Sequence, residues 1–457
     1  MRYQIAIIGG GPGGYVAAIR AAQLGAKVAV IEKARLGGTC LHWGCIPTKT
    51  LVAGVENLHA IKKAGEFGIT TANPVVDFQR LMERKNQVVD RLLTGINYLF
   101  KKNKIDLYQG TGKLLSPHKI EVTKADGVIE EIAAENIIIA TGSEPALIES
   151  YDGERVITSN EALALSEIPK RLLVVGGGVI GSELACIFAG LGAEVTMVEI
   201  MPTILLGVDK EISRLLQTLF KRRGITVKTK AKLQEIRKNQ DGVAAVLDTG
   251  EELAADKILI SIGRTFNSCG LGLEALGVEQ GPRGEIMVNS RLQTNVPNIY
   301  AIGDITNKIQ LAHVASAQGI TAVENIMGNP KEMDYDVVPS CIFTFPEVAG
   351  VGVTSQQAEE QGISIKTGKF PFMALGKAQA TGETDGFVKI LADPVSDRIL
   401  GVHIVGPRAT DLIAEATLAV KLRATAQQLA ETIHAHPTLA EAVMEAAEAV
   451  HGRSIHI

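Results

Sequence analysis

Three observations predict an α/β fold with two doubly wound, Rossmann-like units followed by a C-terminal α+β domain. The first is a duplicated glycine motif behind an apolar run: Tyr3-Gln-Ile-Ala-Ile-Ile-Gly-Gly-Gly-Pro-Gly-Gly14 and Leu172-Leu-Val-Val-Gly-Gly-Gly-Val-Ile-Gly181. The second is the pattern beyond each copy. A helical stretch leads to a short apolar strand ending in an acid, and Glu32 and Glu199 each stand 18 residues beyond the last glycine, close to the ~20 of a dinucleotide-binding unit. The third is the stretch from about Pro339, where strand and helix patterns mix and end in an alanine-rich helix, Leu439–Val450.

Taken in order, the first strand runs into Gly9, Gly11 and Gly14. The first glycine makes the tight turn, the second lets backbone approach a pyrophosphate, and the third admits close helix packing. The phosphates rest on the helix N-terminus, and the acid accepts from ribose hydroxyls. A strand Lys27–Ile31 delivers Glu32. Next comes Gly37-Gly-Thr-Cys-Leu-His-Trp-Gly-Cys-Ile-Pro-Thr-Lys49, which places two thiols beside the first dinucleotide site. A regular helix would separate Cys40 and Cys45 by ~7.5 Å of rise, while a bridge wants Cα atoms within ~7 Å. The segment is therefore expected to be a distorted turn, with Gly44 supplying freedom. Pro47 suits the first turn of a helix, which puts Cys45 at a helix N-terminus where the dipole favours a thiolate. The competing reading is a structural disulfide or two inert thiols, and disulfides that only hold structure are uncommon in cytosolic chains.

A helical insertion, roughly 46–104, carries Val88, Leu92, Ile96 and Leu99 at helical spacing. β segments follow to Ile137-Ile-Ile-Ala-Thr-Gly142, and Ile258-Leu-Ile-Ser-Ile-Gly263 closes the second unit in the same way. Gly176, Gly178 and Gly181 repeat the first glycine pattern. Ile200, Met201 and Pro202 follow Glu199 with no arginine cluster. Glu199 would repel a 2′-phosphate, so the second unit is expected to prefer NAD(H) to NADP(H). Thr294-Asn-Val-Pro-Asn-Ile-Tyr-Ala-Ile-Gly-Asp304 reads as a strand delivering an acid into a cofactor site.

The 457 residues exceed one core, so two to four domains are expected. With 46 basic and 50 acidic residues, a net charge of −4 and no basic block, neither nucleic acid nor an anionic membrane is indicated as a partner. No signal segment or membrane-length apolar run is evident, so a soluble cytoplasmic protein is expected. Cys186, Cys269 and Cys341 are scattered and read as small apolar fillers, and no cysteine–histidine cluster suggests a metal.

These motifs, with Ala301-Ile-Gly-Asp304, Phe343-Thr-Phe-Pro-Glu347 and His434-Ala-His-Pro-Thr-Leu-Ala-Glu441, resemble the pyridine nucleotide–disulphide oxidoreductases over nearly the whole chain. The nearest likeness is to members that oxidise dihydrolipoamide. The resemblance implies a first unit holding FAD, a second holding NAD⁺/NADH, a central segment completing the FAD site, and a C-terminal dimerisation domain forming a homodimer. The corresponding ranges are 1–145, 146–275, 276–338 and 339–457. It implies an FAD site at Gly9, Gly11, Gly14, Glu32, Lys49, Gly112, Gly142, Asp304 and Ala312, with Lys49 by the flavin and paired with Glu183. It implies an NAD site at Gly176, Gly178, Ile180, Gly181, Glu199 and Gly263.

It further implies a Cys40–Cys45 redox disulfide, with Cys45 nearer the flavin, and an acid/base pair of His436 and Glu441. Thiol–disulfide exchange needs such a base, and a carboxylate fixes the tautomer and stabilises the imidazolium. Read alone, His436 would be a helix cap and Glu441 a solvated face. The implied partners are lipoyl-carrying subunits of 2-oxoacid dehydrogenase or glycine cleavage complexes. His434 is a candidate for the dimer interface and His313 for the flavin's surroundings, with no chemistry assigned to either.

Two departures stand out. His42-Trp43 occupies positions where family members often carry asparagine and a small or branched residue, which alters the wall of the disulfide site. Gly263-Arg-Thr-Phe-Asn267 has phenylalanine in place of the family's proline. Glutathione-type reduction would call for arginines after Glu199, and mercuric reduction for a cysteine pair in the tail, which reads Arg-Ser-Ile-His-Ile.

Overall fold

The computed structural model describes residues 2–239 and 242–457. In the first unit, a seven-stranded sheet is ordered Asp106–Gln109, Val28–Glu32, Arg2–Ile8, Ile129–Ile139, Lys119–Thr123, Thr111–Ser116. The seventh strand, Ile299–Ala301, comes from far along the chain and pairs in parallel with Ile129–Ile139, Ala301 opposite Ile139. The parallel centre is built from Ile5, Ile7, Ile31, Ile137, Ile138 and Ile139, all fully buried, because helices cover its face and a sheet covered on both sides selects continuous β-branched runs. Helix Pro12–Gln23 packs on helix Ala312–Ile326. Their approach depends on two glycines: a Cβ at Gly319 would stand 2.6 Å from Gly13 O, and one at Gly13 would stand 3.1 Å from Ala315 O.

The second unit has five parallel strands ordered Ile225–Thr229, Glu194–Glu199, Arg171–Val175, Lys257–Ile260, Val156–Ile157, with a three-stranded antiparallel sheet beside it. The C-terminal domain is a five-stranded antiparallel sheet ordered Ser340–Ile342, Glu347–Gly352, Ile399–Gly406, Phe387–Ala392, Lys366–Pro371. Helices Ala409–Lys421, Ala426–Glu431 and Glu441–Val450 share its core.

The helical insertion lies within the first unit, between strands Val28–Glu32 and Asp106–Gln109 of one sheet, and forms helices Cys45–Lys63 and Phe78–Lys102. Asp77 caps the second by accepting from Arg80 N at 2.9 Å. Its period is as the sequence suggests, but its buried face is Phe78, Met82, Lys85, Val89 and Phe100, while Leu92 and Leu99 lie on the exposed side. Periodicity gives a helix without saying which of two apolar stripes the core takes, and here the stripe containing Lys85 is buried. The ammonium of Lys85 donates to Leu163 O at 2.6 Å, tying this helix to the second unit. A second joint is the buried pair Lys389–Asp209 at 3.1 Å, which fastens the C-terminal sheet to the second unit. Burial removes water from both charges, so the pair fixes register between domains more than it adds stability.

Candidate active site

The two glycine turns are matched bond for bond. Gly9 N donates to Ile31 O at 2.8 Å and Gly176 N to Val198 O at 2.9 Å. Gly10 N donates to Glu32 Oε2 at 2.7 Å, and Gly177 N to Glu199 Oε2 at 2.6 Å. The other carboxylate oxygen takes the amide two residues on, Ala34 N for Glu32 and Met201 N for Glu199, each at 2.7 Å. Each oxygen keeps a further lone pair for a ribose hydroxyl.

The outer glycines are demanded by the protein itself. Gly9 and Gly176 have φ of +108° and +107°, and a Cβ at Gly14 or Gly181 would stand 1.9 or 2.1 Å from the carbonyl of the first glycine of its own turn. The middle glycines are different. A Cβ at Gly178 would meet nothing within 4 Å, and one at Gly11 would meet only Gly38 Cα at 4.0 Å. The open space over Gly11 and Gly178 fits a pyrophosphate at each helix N-terminus.

Around the first turn other groups fit FAD. Thr141 Oγ1, beside Gly142, is buried without a hydrogen-bond partner, a cost that a ligand's polar atom would relieve. Gly142 has φ +69°, and a Cβ there would meet nothing within 4 Å. Asp304 follows strand Ile299–Ala301 in a short 3₁₀ turn, and its Oδ2 accepts from Ser143 Oγ at 2.5 Å. Gly112, on strand Thr111–Ser116, lies against Ile8 and Ile31. Ala312 opens helix Ala312–Ile326, whose N-terminus has no side-chain cap. Ile180 stands exposed at the start of helix Val179–Gly190, and Gly263 lies just before strand Arg264–Phe266.

The thiols lie on two short-range elements. Cys40 sits in the five-residue helix Gly38–His42, the chain breaks at Trp43-Gly44, and Cys45 is the first residue of helix Cys45–Lys63. Both are free thiols here, and each perturbs the other. Their environments push them apart. The neighbouring Cys40 side chain, the Lys49 charge and its own backbone amide hold Cys45 down to about 7, against burial and the Glu183 charge. The Cys45 side chain, burial and the Cys45 charge push Cys40 well above an ordinary thiol. Both shifts favour the thiolate on Cys45. The segment is fastened to the glycine turn: Gly37 N donates to Gly10 O at 2.8 Å, and a Cβ on Gly38 would stand 2.7 Å from Gly11 Cα.

Lys49, one helical turn beyond Cys45, has its Nζ 2.9 Å from Glu183 Oε2. Glu183, on helix Val179–Gly190, also accepts from Phe343 N at 2.9 Å, and Lys49 Nζ lies 4.3 Å from the Phe343 ring centroid. One carboxylate therefore joins all three domains. Sequence reasoning did not identify Phe343 at this joint, nor the half-buried Arg264. From the second unit Arg264 donates to Ser143 Oγ at 2.6 Å and Ser143 O at 2.7 Å, and its Nε lies 3.8 Å from Asp304. The Gly-Arg-Thr stretch was the only sequence signal for it.

His436 is in a different place. Its Nδ1 lies 2.8 Å from Glu441 Oε1, and the imidazole is 77% exposed. Burial would raise Glu441, but the amide of Thr438, the bond and charge of His436 and the charge of His456 hold it below the ordinary carboxylate range. Among the described residues no hydrogen bond or ion pair links His436 to Cys40 or Cys45 of the same subunit. His434 is mostly buried against Glu415, Nε2 to Oε1 2.8 Å, and His313 Nε2 lies 3.0 Å from Pro339 O. Trp43 is 37% exposed beside His42, whose Nε2 is 2.8 Å from Leu36 O. Of the remaining cysteines, Cys186 is buried and Cys341 half-buried, but Cys269 is exposed and fills no core. Among the described residues no group of histidines, cysteines and carboxylates is placed to hold a metal, and no helix is long and apolar enough to cross a membrane.

The model of the family described as pyridine nucleotide-disulphide oxidoreductase matches residues 3–319, and that of its dimerisation domain matches residues 338–447. The chain is 46% identical over 470 residues to a dihydrolipoyl dehydrogenase of Bacillus subtilis (strain 168), covering 99% of each protein. It is 46% identical over 462 residues to one of Thermus scotoductus, covering 100% of this chain and 99% of the relative. Among solved structures, LpdA from Mycobacterium tuberculosis superposes with a TM-score of 0.92 at 29% identity, covering 98% of this chain and 99% of that one.

Proposed function

Since the chain belongs to the pyridine nucleotide-disulphide oxidoreductases, we propose that Cys40, Cys45, His436 and Glu441 carry its chemistry. The activity is that of a flavoprotein oxidoreductase, oxidising dihydrolipoyl groups with FAD and NAD⁺. The observation that supports the site assignment best is the docking of the thiol segment on the first glycine turn, Gly37 on Gly10 and Gly38 on Gly11.

In the reaction His436 takes a proton from one substrate thiol, and the thiolate attacks Cys40 Sγ of the oxidised pair, breaking the Cys40–Cys45 bond and releasing Cys45 as thiolate. The second substrate sulfur attacks the first within the mixed disulfide. Its proton passes to His436, while the proton already on His436 goes to the departing Cys40. The products are the substrate disulfide, protonated Cys40, the Cys45 thiolate and imidazolium His436. This is the protonation that the Cys40 and Cys45 environments favour. Glu441, on Nδ1, leaves Nε2 for the substrate and faces the imidazolium charge. Bound FAD supplies the acceptor for the dithiol's electron pair and the hydride for NAD⁺. Glycines 9, 11 and 14 with Glu32, Gly112, Gly142, Asp304 and Ala312 would hold FAD, with Lys49 beside it and oriented by Glu183. Gly176, Gly178, Ile180, Gly181, Glu199 and Gly263 would hold NAD⁺.

The protein forms a homodimer through its C-terminal dimerisation domain. In our reading His436 serves the thiols of the other subunit, which accounts for its exposure and its separation from its own pair. The lipoyl group arrives on subunits of 2-oxoacid dehydrogenase or glycine cleavage complexes, in the cytoplasm. The functional divisions are 1–145, 146–275, 276–338 and 339–457. The test is complementation by Cys45→Ser and His436→Ala. Each parent alone forms NADH from dihydrolipoamide at under ~1% of the native rate, and heterodimers made by subunit exchange recover activity. Either parent remaining active, or no recovery in verified heterodimers, would overturn the assignment.

A further inference from the structure

A cavity of about 380 Å³ opens where the insertion, the second unit and the C-terminal domain meet, and none of its lining residues has a part in the mechanism above. Its size lies within the ~300–1,000 Å³ of small-molecule sites, which favour domain junctions. The apolar part comes from all three bodies. Val55 stands on helix Cys45–Lys63, Cys186 and Leu219 on helices Val179–Gly190 and Lys210–Arg222, and Phe345 in the C-terminal domain. The walls are close-set at this point, since a Cβ at Gly190 would stand 2.3 Å from Val55 Cγ1.

The rim is cationic. Lys62 and Lys63 end helix Cys45–Lys63, and Arg222 and Arg223 end helix Lys210–Arg222. Each pair suits its own helix C-terminus, but only the fold brings both ends to one cavity. Against these four cations the lining has one carboxylate, Asp385, whose Oδ1 is 3.9 Å from Arg222 Nη1. Lys63 Nζ donates to Gly382 O at 3.3 Å, and the Arg223 guanidinium lies 5.9 Å from the Phe345 ring centroid. Among the described residues no carboxylate pairs with Lys62, Lys63 or Arg223. His59, also in the lining, registers the crowding. Burial and then the charges of Arg223, Lys63 and Lys62 hold it below the usual imidazole range, with Glu66 opposing. This excess of three positive charges stands in a chain of net charge −4. A cleft of one sign with apolar walls focuses its field on an anion.

We propose that this cavity binds a small organic phosphate with an aromatic body. The phosphate faces Lys62, Lys63, Arg222 and Arg223, and the ring lies on Val55, Leu219 and Phe345. A phosphate dianion matches the charge excess better than a single carboxylate, and arginine and lysine together suit its oxygens.

The test is calorimetric titration of the FAD-loaded homodimer with 2-naphthyl phosphate, in saturating NAD⁺ so that the second glycine turn is occupied. One site per subunit is expected, with inorganic phosphate binding at least about tenfold more weakly. Lys62→Glu and Arg223→Glu should each weaken the naphthyl compound by about tenfold or more, the loss of one charge-assisted contact. Lys102→Glu, the same change outside the cavity, should leave binding as it was. All three should keep their flavin and their dihydrolipoamide-driven NADH formation. Arg223→Gln should give an intermediate loss, and it decides the matter if a charge reversal fails to fold. No saturable binding, binding abolished by NAD⁺, equal affinity for inorganic phosphate, or an affinity indifferent to Lys62 and Arg223 would each overturn the proposal.

Discussion

The two glycine turns carry the same hydrogen bonds in the same order, yet what packs on them differs. The carbonyl of Gly10 accepts from Gly37, the start of the thiol segment, and that of Gly177 accepts from Leu205, both at 2.8 Å. Against the first turn therefore lies Gly38, packed on Gly11, and against the second lie Ile204 and Leu205. The start of the second helix is open, with Gly178, Val179 and Ile180 exposed. The motif itself determines only a phosphate cradle and a ribose acceptor. The first cradle has a thiol-bearing segment fastened to it and the second does not, which is the contrast expected if the first holds FAD and the second an exchanging NAD⁺. Glu199 accepts two amides and is flanked by exposed Ile200 and Met201. An acid and two apolar side chains on that side of the open site offer nothing to a 2′-phosphate.

Substitutions can break this contrast, and the largest effect belongs to the thiol-bearing segment. Cys45→Ser should retain FAD and the ferricyanide rate while lowering dihydrolipoamide-driven NADH formation by roughly 10³-fold or more, measured on the FAD-loaded protein. If the variant also lost flavin, the segment would be holding the cofactor rather than serving it.

Next come the paired glycine substitutions. Gly14→Ala drives a methyl to 1.9 Å from Gly9 O and should give a colourless, destabilised protein. Gly181→Ala makes the same clash with Gly176 O at 2.1 Å and should keep its flavin while losing NAD⁺ reduction. Flavin content and Tm measured side by side would show whether the two units are independent. Equal flavin loss would contradict that independence.

A finer probe is Gly178→Ala, where the added methyl meets no protein atom within 4 Å. Stability should hold within ~0.5 kcal/mol, while KM for NAD⁺ rises about tenfold, equivalent to ~1.4 kcal/mol of lost pyrophosphate approach. An unchanged KM would mean the cradle is not where the pyrophosphate lies.

The smallest effect is a titration. Cys45 is held down to about 7, so the two-electron-reduced enzyme keeps a thiolate above that pH and loses it as pH falls through it. Its long-wavelength thiolate–flavin absorption should fade across that range, with Cys40 protonated throughout. A band that persists well below would place the thiolate's value lower than the Lys49 and Cys40 contacts account for.

Much of the site could be read from the chain. The glycines and the acids beyond them act through turns and bonds that recur wherever strand, turn and helix meet, and Cys40, Cys45, Lys49 and Pro47 lie within ten residues. The rest depends on distant encounters. Arg264 reaches Ser143 across 121 positions, and Glu183 reaches Phe343 across 160, pairings that the local motifs around them do not specify. The buried stripe of helix Phe78–Lys102 went to Lys85 because a carbonyl of the second unit was there to receive its ammonium. Periodicity cannot anticipate that choice.

By itself the sequence determined the three-part architecture, both nucleotide cradles, the preference of Glu199 against a 2′-phosphate, and the thiol pair at a helix start. These follow from backbone geometry and side-chain chemistry over a few residues. Tertiary structure alone decided that Arg264 meets Ser143, that Glu183 meets Phe343, and that Lys85 is buried against Leu163. Each of those outcomes depends on which groups a folded chain brings within about 3 Å of one another, a distance that spacing along the chain does not encode.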